Sequence, residues 1–247
     1  NAATLAYIDN QWETQGTLTK TGGTMSWNNV AWTLNDNTSY SSDTAIATLA
    51  LSDNITLKTL TLNNHILTLA SEDSDLTVTD NLTFDNSGEQ IITGLADLTL
   101  QGGFILDNGT LSSTGGKVSF EKGGKQSGGI LDISGSTLKL GESFTKTAGT
   151  LTTTDEGTIL ELMDNLTVSS DSALSFNQLN LNNLTLTLGS ESTDLQVSSA
   201  LTLDNANERV MTGAADFVTL ASLDISDGGV ISTGGIVSLS GGGQLSG

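Results

Sequence analysis

Cysteine and proline are both absent from the 247 residues. Without cysteine there is no disulfide, no thiolate metal site and no cysteine nucleophile. That excludes the small, disulfide-stapled secreted domain, but not a large extracellular protein. Aromatic residues make up only 4% of the chain, too few for the cores that β-sandwich domains normally build. His65 is the single histidine and Arg209 the single arginine, so zinc sites and Ser-His-Asp chemistry lack partners. Basic residues are also scarce, 8 against 28 acids, for a net charge of −20. Nucleic acid and anionic membrane surfaces both need a basic face and are therefore poor partners. No run approaches 18 consecutive apolar residues, so no membrane span is expected. No signal-peptide pattern opens the chain.

What is present is Leu, Thr, Ser, Asn, Asp and 28 glycines, arranged in a repeat. LNN at 62–64 returns at 181–183, and SEDSDLTV at 71–78 returns as SESTDLQV at 190–197. LTFDNSGEQIITG at 82–94 returns as LTLDNANERVMTG at 201–213, and STGGKVSF at 113–120 as STGGIVSL at 232–239. Every pair is offset by 119 residues without a gap. Roughly 29 of the 64 positions from 61 to 124 are identical to their counterparts, far above chance. Upstream, KTGGTMS at 20–26 echoes KTAGTLT at 146–152 with an offset of 126, so the first copy carries about seven extra residues. The expected organisation is the end of a preceding unit at 1–19, one unit at 20–145 with an aromatic-bearing insertion near 27–45, and a second, truncated unit at 146–247. The chain opens in a strand-like phrase and closes in a glycine turn, which suggests a piece of a longer repetitive protein.

Within each unit lies a shorter beat of apolar-polar-apolar triplets such as LTL at 98–100 and TLKL at 137–140. Such alternation marks short strands with one buried face. Asn, Asp, Gly and Ser cluster between them and tolerate the left-handed backbone of tight turns. No helical periodicity is found. Two all-β architectures fit: tandem β-sandwich domains, or a parallel β-solenoid whose coils of about 20 residues stack on one another. Short strands, few aromatics and no proline favour the solenoid, with right-handed coiling expected for parallel crossovers.

The run of LTL triplets with NN, GG and DN turns resembles the β-helical stalks of large bacterial surface proteins of the filamentous-haemagglutinin and autotransporter-passenger type. The likeness covers nearly the whole chain and is one of texture. It implies a secreted or cell-surface structural or adhesive stalk, without catalytic function or cofactor. Such a stalk would self-associate into fibres end to end or contact surface glycans or proteins. The alternative is a carbohydrate-binding or carbohydrate-cleaving β-helix.

Few residues invite a chemical role. His65 is replaced by Leu184 in the second copy, which a general base or metal ligand would not tolerate. Two carboxylate clusters recur: Glu72 with Asp75 as Glu191 with Asp194, and Asp85 with Glu89 as Asp204 with Glu208. The loops of Asp85, Glu89, Asp204 and Glu208 are oxygen-rich and are candidates for calcium, although they match neither the EF-hand nor the glycine-aspartate nonapeptide. Solvated turns capping strand ends are the plainer reading. Lys117, Lys122 and Lys125 fall in one glycine-rich stretch, where lysines commonly guard an edge. Asn-X-Ser/Thr sequons at Asn37, Asn54, Asn81, Asn108, Asn165 and Asn183 arise mostly from the turn phrase itself. All three tryptophans, Trp12, Trp27 and Trp32, lie in the first 32 residues. Trp27 and Trp32 are the candidate ligand platform, with core packing as the alternative.

Overall fold

The computed structural model describes residues 4–8, 11–14, 18–20, 24–28, 30–34, 38–42, 55–69, 72–153 and 157–246; for the strands before residue 56 only the backbone is described. Every strand pair is parallel, and no described residue is helical. The strands wind into a β-solenoid of about nine turns, and tandem sandwiches are set aside because antiparallel pairs are absent among the described strands.

Each turn has three strands, so strands pair with the third strand before and after them, except around Ile55–Thr61, a single strand that spans two faces. One face stacks Leu76–Val78, Leu98–Leu100, Lys117–Phe120, Thr137–Leu140 and Ile159–Leu162. A second stacks Leu82–Phe84, Phe104–Leu106, Gly124–Gln126, Phe144–Lys146, Leu166–Ser169 and Thr185–Leu188. The third stacks Ile66–Leu69, Gln90–Gly94, Thr110–Ser113, Ile130–Asp132 and Thr150–Thr152. Paired residues lie about one turn apart in sequence, as in Ile66↔Gln90 and Thr110↔Ile130.

The alternating triplets explain the core. Leu98 and Leu100 are fully buried with Thr99 outside them, and the same in-out-in pattern runs through Leu76–Val78, Leu82–Phe84 and Leu195–Val197. One continuous cluster of such side chains extends from Leu57 to Leu223. In its middle the aliphatic column gives way to rings. Phe104 and Phe120 stack with centroids 4.2 Å apart and planes 15° off parallel, and Phe84 and Phe144 extend the row. Gly124 sits between Phe104 and Phe144 in their column, where an added Cβ would stand 3.1 Å from one ring and 3.2 Å from the other.

Tight corners account for the retained glycines. A Cβ on Gly116 would collide with the carbonyl oxygen of Ala96, and one on its counterpart Gly235 with that of Ala215. The Asn-Asn pairs serve the same end by another route. Asn63 and Asn64 have φ of 51° and 64°, Asn182 and Asn183 of 53° and 63°, the left-handed region that asparagine visits more readily than most residues.

The repeat does not match a whole number of turns. Ile66–Leu69 lies in the sheet of the third face, but its counterpart Thr185–Leu188 lies in the sheet of the second. The two are 17 described strands apart, two strands more than five full turns. A repeat therefore advances five and two-thirds turns, and equivalent residues come out on different faces.

Candidate functional site

Once in each unit, two of the three faces lose their ladder. The segment Ile55–Thr61 divides its pairing. Ile55, Thr56 and Leu57 pair forward with Leu76–Val78, whereas Thr59, Leu60 and Thr61 pair backward with Val30–Leu34. The edge of Thr59–Thr61 nearer the next turn then faces Leu82–Phe84, which starts its own sheet. The second unit repeats the arrangement with two strands in place of one. Leu174–Phe176 pairs forward with Leu195–Val197, Gln178–Asn180 pairs backward with Ile159–Leu162, and Leu201–Leu203 starts a new sheet. One face runs through each junction unbroken: the third in the first, from Thr38–Ser42 to Ile66–Leu69, and the second in the other, from Leu166–Ser169 to Thr185–Leu188.

Each ladder break opens a notch. The first, of about 420 Å3, is lined by Thr59, Thr61, Asn63, Asn81, Thr83 and Asp85 together with Leu60 and Leu62. The second, of about 270 Å3, is lined by Gln178, Asn180, Asn182 and Thr202 together with Leu179 and Leu181. Most of these positions correspond at the 119-residue offset, with Ala200 in the place of Asn81 and no counterpart of Asp85 in the second lining.

A buried glutamate closes the floor of each notch. Glu89 Oε2 accepts the N–H of Asp85 at 2.8 Å and of Asn86 at 3.1 Å, and Oε1 accepts that of Asn64 at 3.4 Å. Glu208 repeats this with Asp204 at 3.0 Å, Asn205 at 3.3 Å and Asn183 at 3.2 Å. Burial works to raise the pKa of Glu208, but the three N–H donors outweigh it and hold the carboxyl below its ordinary range. The four calcium candidates are thus brought together in pairs, with both glutamates taken up by backbone donors. Asp85 and Asp204 each accept from the neighbouring asparagine amide. Among the described residues no group of three or more His, Asp or Glu side chains is placed to hold a metal. The link between Glu89 and the Asn63–Asn64 turn was open to sequence reading, because both recur together 25 residues apart.

The other recurrent cluster is also a tie between turns. Asp97 donates its N–H to Asp75 Oδ1 at 2.8 Å, and Lys117 donates its N–H to Asp97 Oδ1 at 2.7 Å. Asp194, Asp216 and Ile236 reproduce both bonds at 2.8 and 2.7 Å. Burial raises the pKa of Asp75; the Asp97 N–H opposes this and the Asp97 charge adds to it. Glu72 lies exposed beside this ladder.

The lysines bridge turns as well. Lys117 reaches Asp97 at 3.8 Å, Lys122 reaches Glu142 at 2.9 Å and Lys139 reaches Glu161 at 2.7 Å. Lys125 lies exposed on the second face. Lys146 is buried in the core and bonds Asp171 and Ser172, which sets the Asp171 carboxyl below its ordinary range. Next to it in the column, buried Gln126 donates to the carbonyl of Thr150 at 2.9 Å. This polar insertion in the core carries no alternation signal that a sequence would show.

His65 is half-buried at the corner after the Asn-Asn turn, its N–H donating to the Leu62 carbonyl at 3.0 Å. The side chains of Trp12, Trp27 and Trp32 lie outside the described residues, as do the sequons at Asn37 and Asn54. Asn81 and Asn165 use their side-chain oxygens to accept N–H groups from the next turn, Gly103 at 2.7 Å and Thr185 at 2.9 Å. Among the described residues no helix is long and apolar enough to cross a membrane. No protein-family profile, curated protein or solved structure matches the chain.

Proposed function

We propose that the chain is a non-catalytic structural or adhesive stalk of a secreted or cell-surface bacterial repeat protein. One observation carries this reading: the side chains retained at equivalent places in both units tie one turn to the next. Glu89 and Glu208 clip the Asn-Asn turns, and Asp75, Asp97, Asp194 and Asp216 pin strand starts across turns. Repetition that preserves ties between turns preserves length and stiffness.

End-to-end stacking on a second copy belongs to the same proposal. Each turn rests on the one before it through parallel strands over one continuous apolar core. A parallel strand edge over an apolar floor accepts another turn of the same kind. The acidic surface keeps the sides of such rods apart. Electron microscopy of the purified chain tests the reading. Unbranched rods that lengthen with concentration support it, and isolated compact particles at every concentration would sink it.

A further inference from the structure

The stalk reading accounts for the ties between turns but not for the notch, which interrupts them once in each unit. We propose that the notch is a binding site for a neutral, hydroxyl-rich glycan, repeated with the unit. The proposal stands apart from the stalk reading, since a rod can exist with or without it.

The backbone supplies the first argument. At each break two strand edges face each other without a ladder between them. A free edge presents N–H and C=O groups in alternation. A sugar hydroxyl both donates and accepts, so it suits such a row better than a pure donor or a pure acceptor. An inserted peptide strand does not fit the first notch. It would need its neighbours about 9.6 Å apart, twice the ladder spacing, and residues of Ile55–Thr61 come within 8 Å of Leu82–Phe84, Cα to Cα.

The lining supplies the second. Thr59 becomes Gln178 and Thr61 becomes Asn180, while Thr83 stays threonine as Thr202. Identity drifts, but hydroxyl or amide character is kept at all three, while Asn81 gives way to Ala200. Among the described residues no lysine or arginine lines either notch, which disfavours phosphate or sulfate groups. The glutamate in each floor already takes backbone donors, so it does not recruit a cation. The first volume, about 420 Å3, falls within the range of ligand clefts, and the second, about 270 Å3, falls just below it.

The test is a nuclear magnetic resonance titration of the whole chain with cellohexaose, maltohexaose and N-acetylchitohexaose in separate experiments. Amide shifts from one of these sugars are expected at Thr59–Asn63 and Asn81–Asn86 and together at Gln178–Asn182 and Ala200–Thr202. Affinity is expected on the order of millimolar, as an open polar site implies. Thr83 and Thr202 are exposed, so substituting them leaves the core intact. Thr83→Arg is expected to abolish the first set of shifts and spare the second, and Thr202→Arg the reverse. Thr83→Val is expected to weaken the first notch about fivefold. The proposal is overturned if none of the three sugars perturbs either notch. It is equally overturned if shifts arise only elsewhere, or if inorganic sulfate perturbs the notches and the sugars do not.

Discussion

Asp97 and Asp216 hold the same position in the two copies of the repeat, yet their surroundings differ. Both accept the N–H of the residue one turn on, at 2.7 Å in each case. In the first copy that residue is Lys117, whose ammonium lies 3.8 Å from the same carboxylate. In the second it is Ile236, and the ion pair is gone while the backbone bond stays. The core shows a parallel contrast. Phe104, Phe120 and Gln126 in the first copy are Leu223, Leu239 and Leu245 in the second, on the same register of strands. The ties that persist between copies are those a carboxylate makes to the backbone. Ties between side chains of successive turns, and the identity of the core, are exchangeable.

The sharpest way to break this comparison is in the core. Phe120→Ala is expected to cost about 4 kcal/mol, because it empties a fully buried, stacked position. Leu239→Ala, at the equivalent but 43% exposed place, is expected to cost under about 1 kcal/mol. Urea unfolding of the two variants decides it, and equal losses would show that the last turn is covered in solution.

The next effect is smaller and depends on pH. The Glu208 carboxyl has a folded pKa below its ordinary value of 4.5. Its ionised form therefore stabilises the fold above that value, and this contribution fades as pH falls through the folded pKa. Stability measured from neutral pH downward is expected to fall below about pH 4.5. Glu208→Gln should be less stable at neutral pH by about 1–2 kcal/mol and should show a shallower acid decline. An unchanged decline would remove Glu208 from the retained ties.

The smallest effect tests what is exchangeable. Lys117→Ile makes the first copy resemble the second. Both partners of the ion pair are well exposed, so the change is expected to stay within about 0.5 kcal/mol. A larger loss by thermal unfolding would mean that side-chain pairs matter to the rod after all.

Much of this architecture was legible in the sequence, for a local reason. A triplet such as Leu98-Thr99-Leu100 fixes which side is buried, and Asn63-Asn64 fixes a left-handed corner. Stacking such units side by side needs nothing more than parallel pairing. The roles of Glu89 and Glu208 were harder to read. Their spacing from Asp85 and Asp204 resembles an oxygen-rich loop, and only the fold shows backbone donors filling both carboxylates. The notch was not legible at all. It follows from Thr59–Thr61 pairing backward while Ile55–Leu57 pairs forward, a matter of register that no composition encodes.

The 17-strand spacing of equivalent elements bears on how a longer array would look from outside. Each unit is turned by a third of a revolution relative to the one before it. Any mark that a unit wears on its surface would therefore trace a screw along the rod, returning to the same azimuth only after three units. Those units span 51 strands, or about 17 turns and roughly 80 Å at the ladder spacing of parallel strands. A neighbour approaching from any direction would meet the same mark within that pitch. A filament with no preferred side is suited to a mesh and poorly suited to a flat sheet.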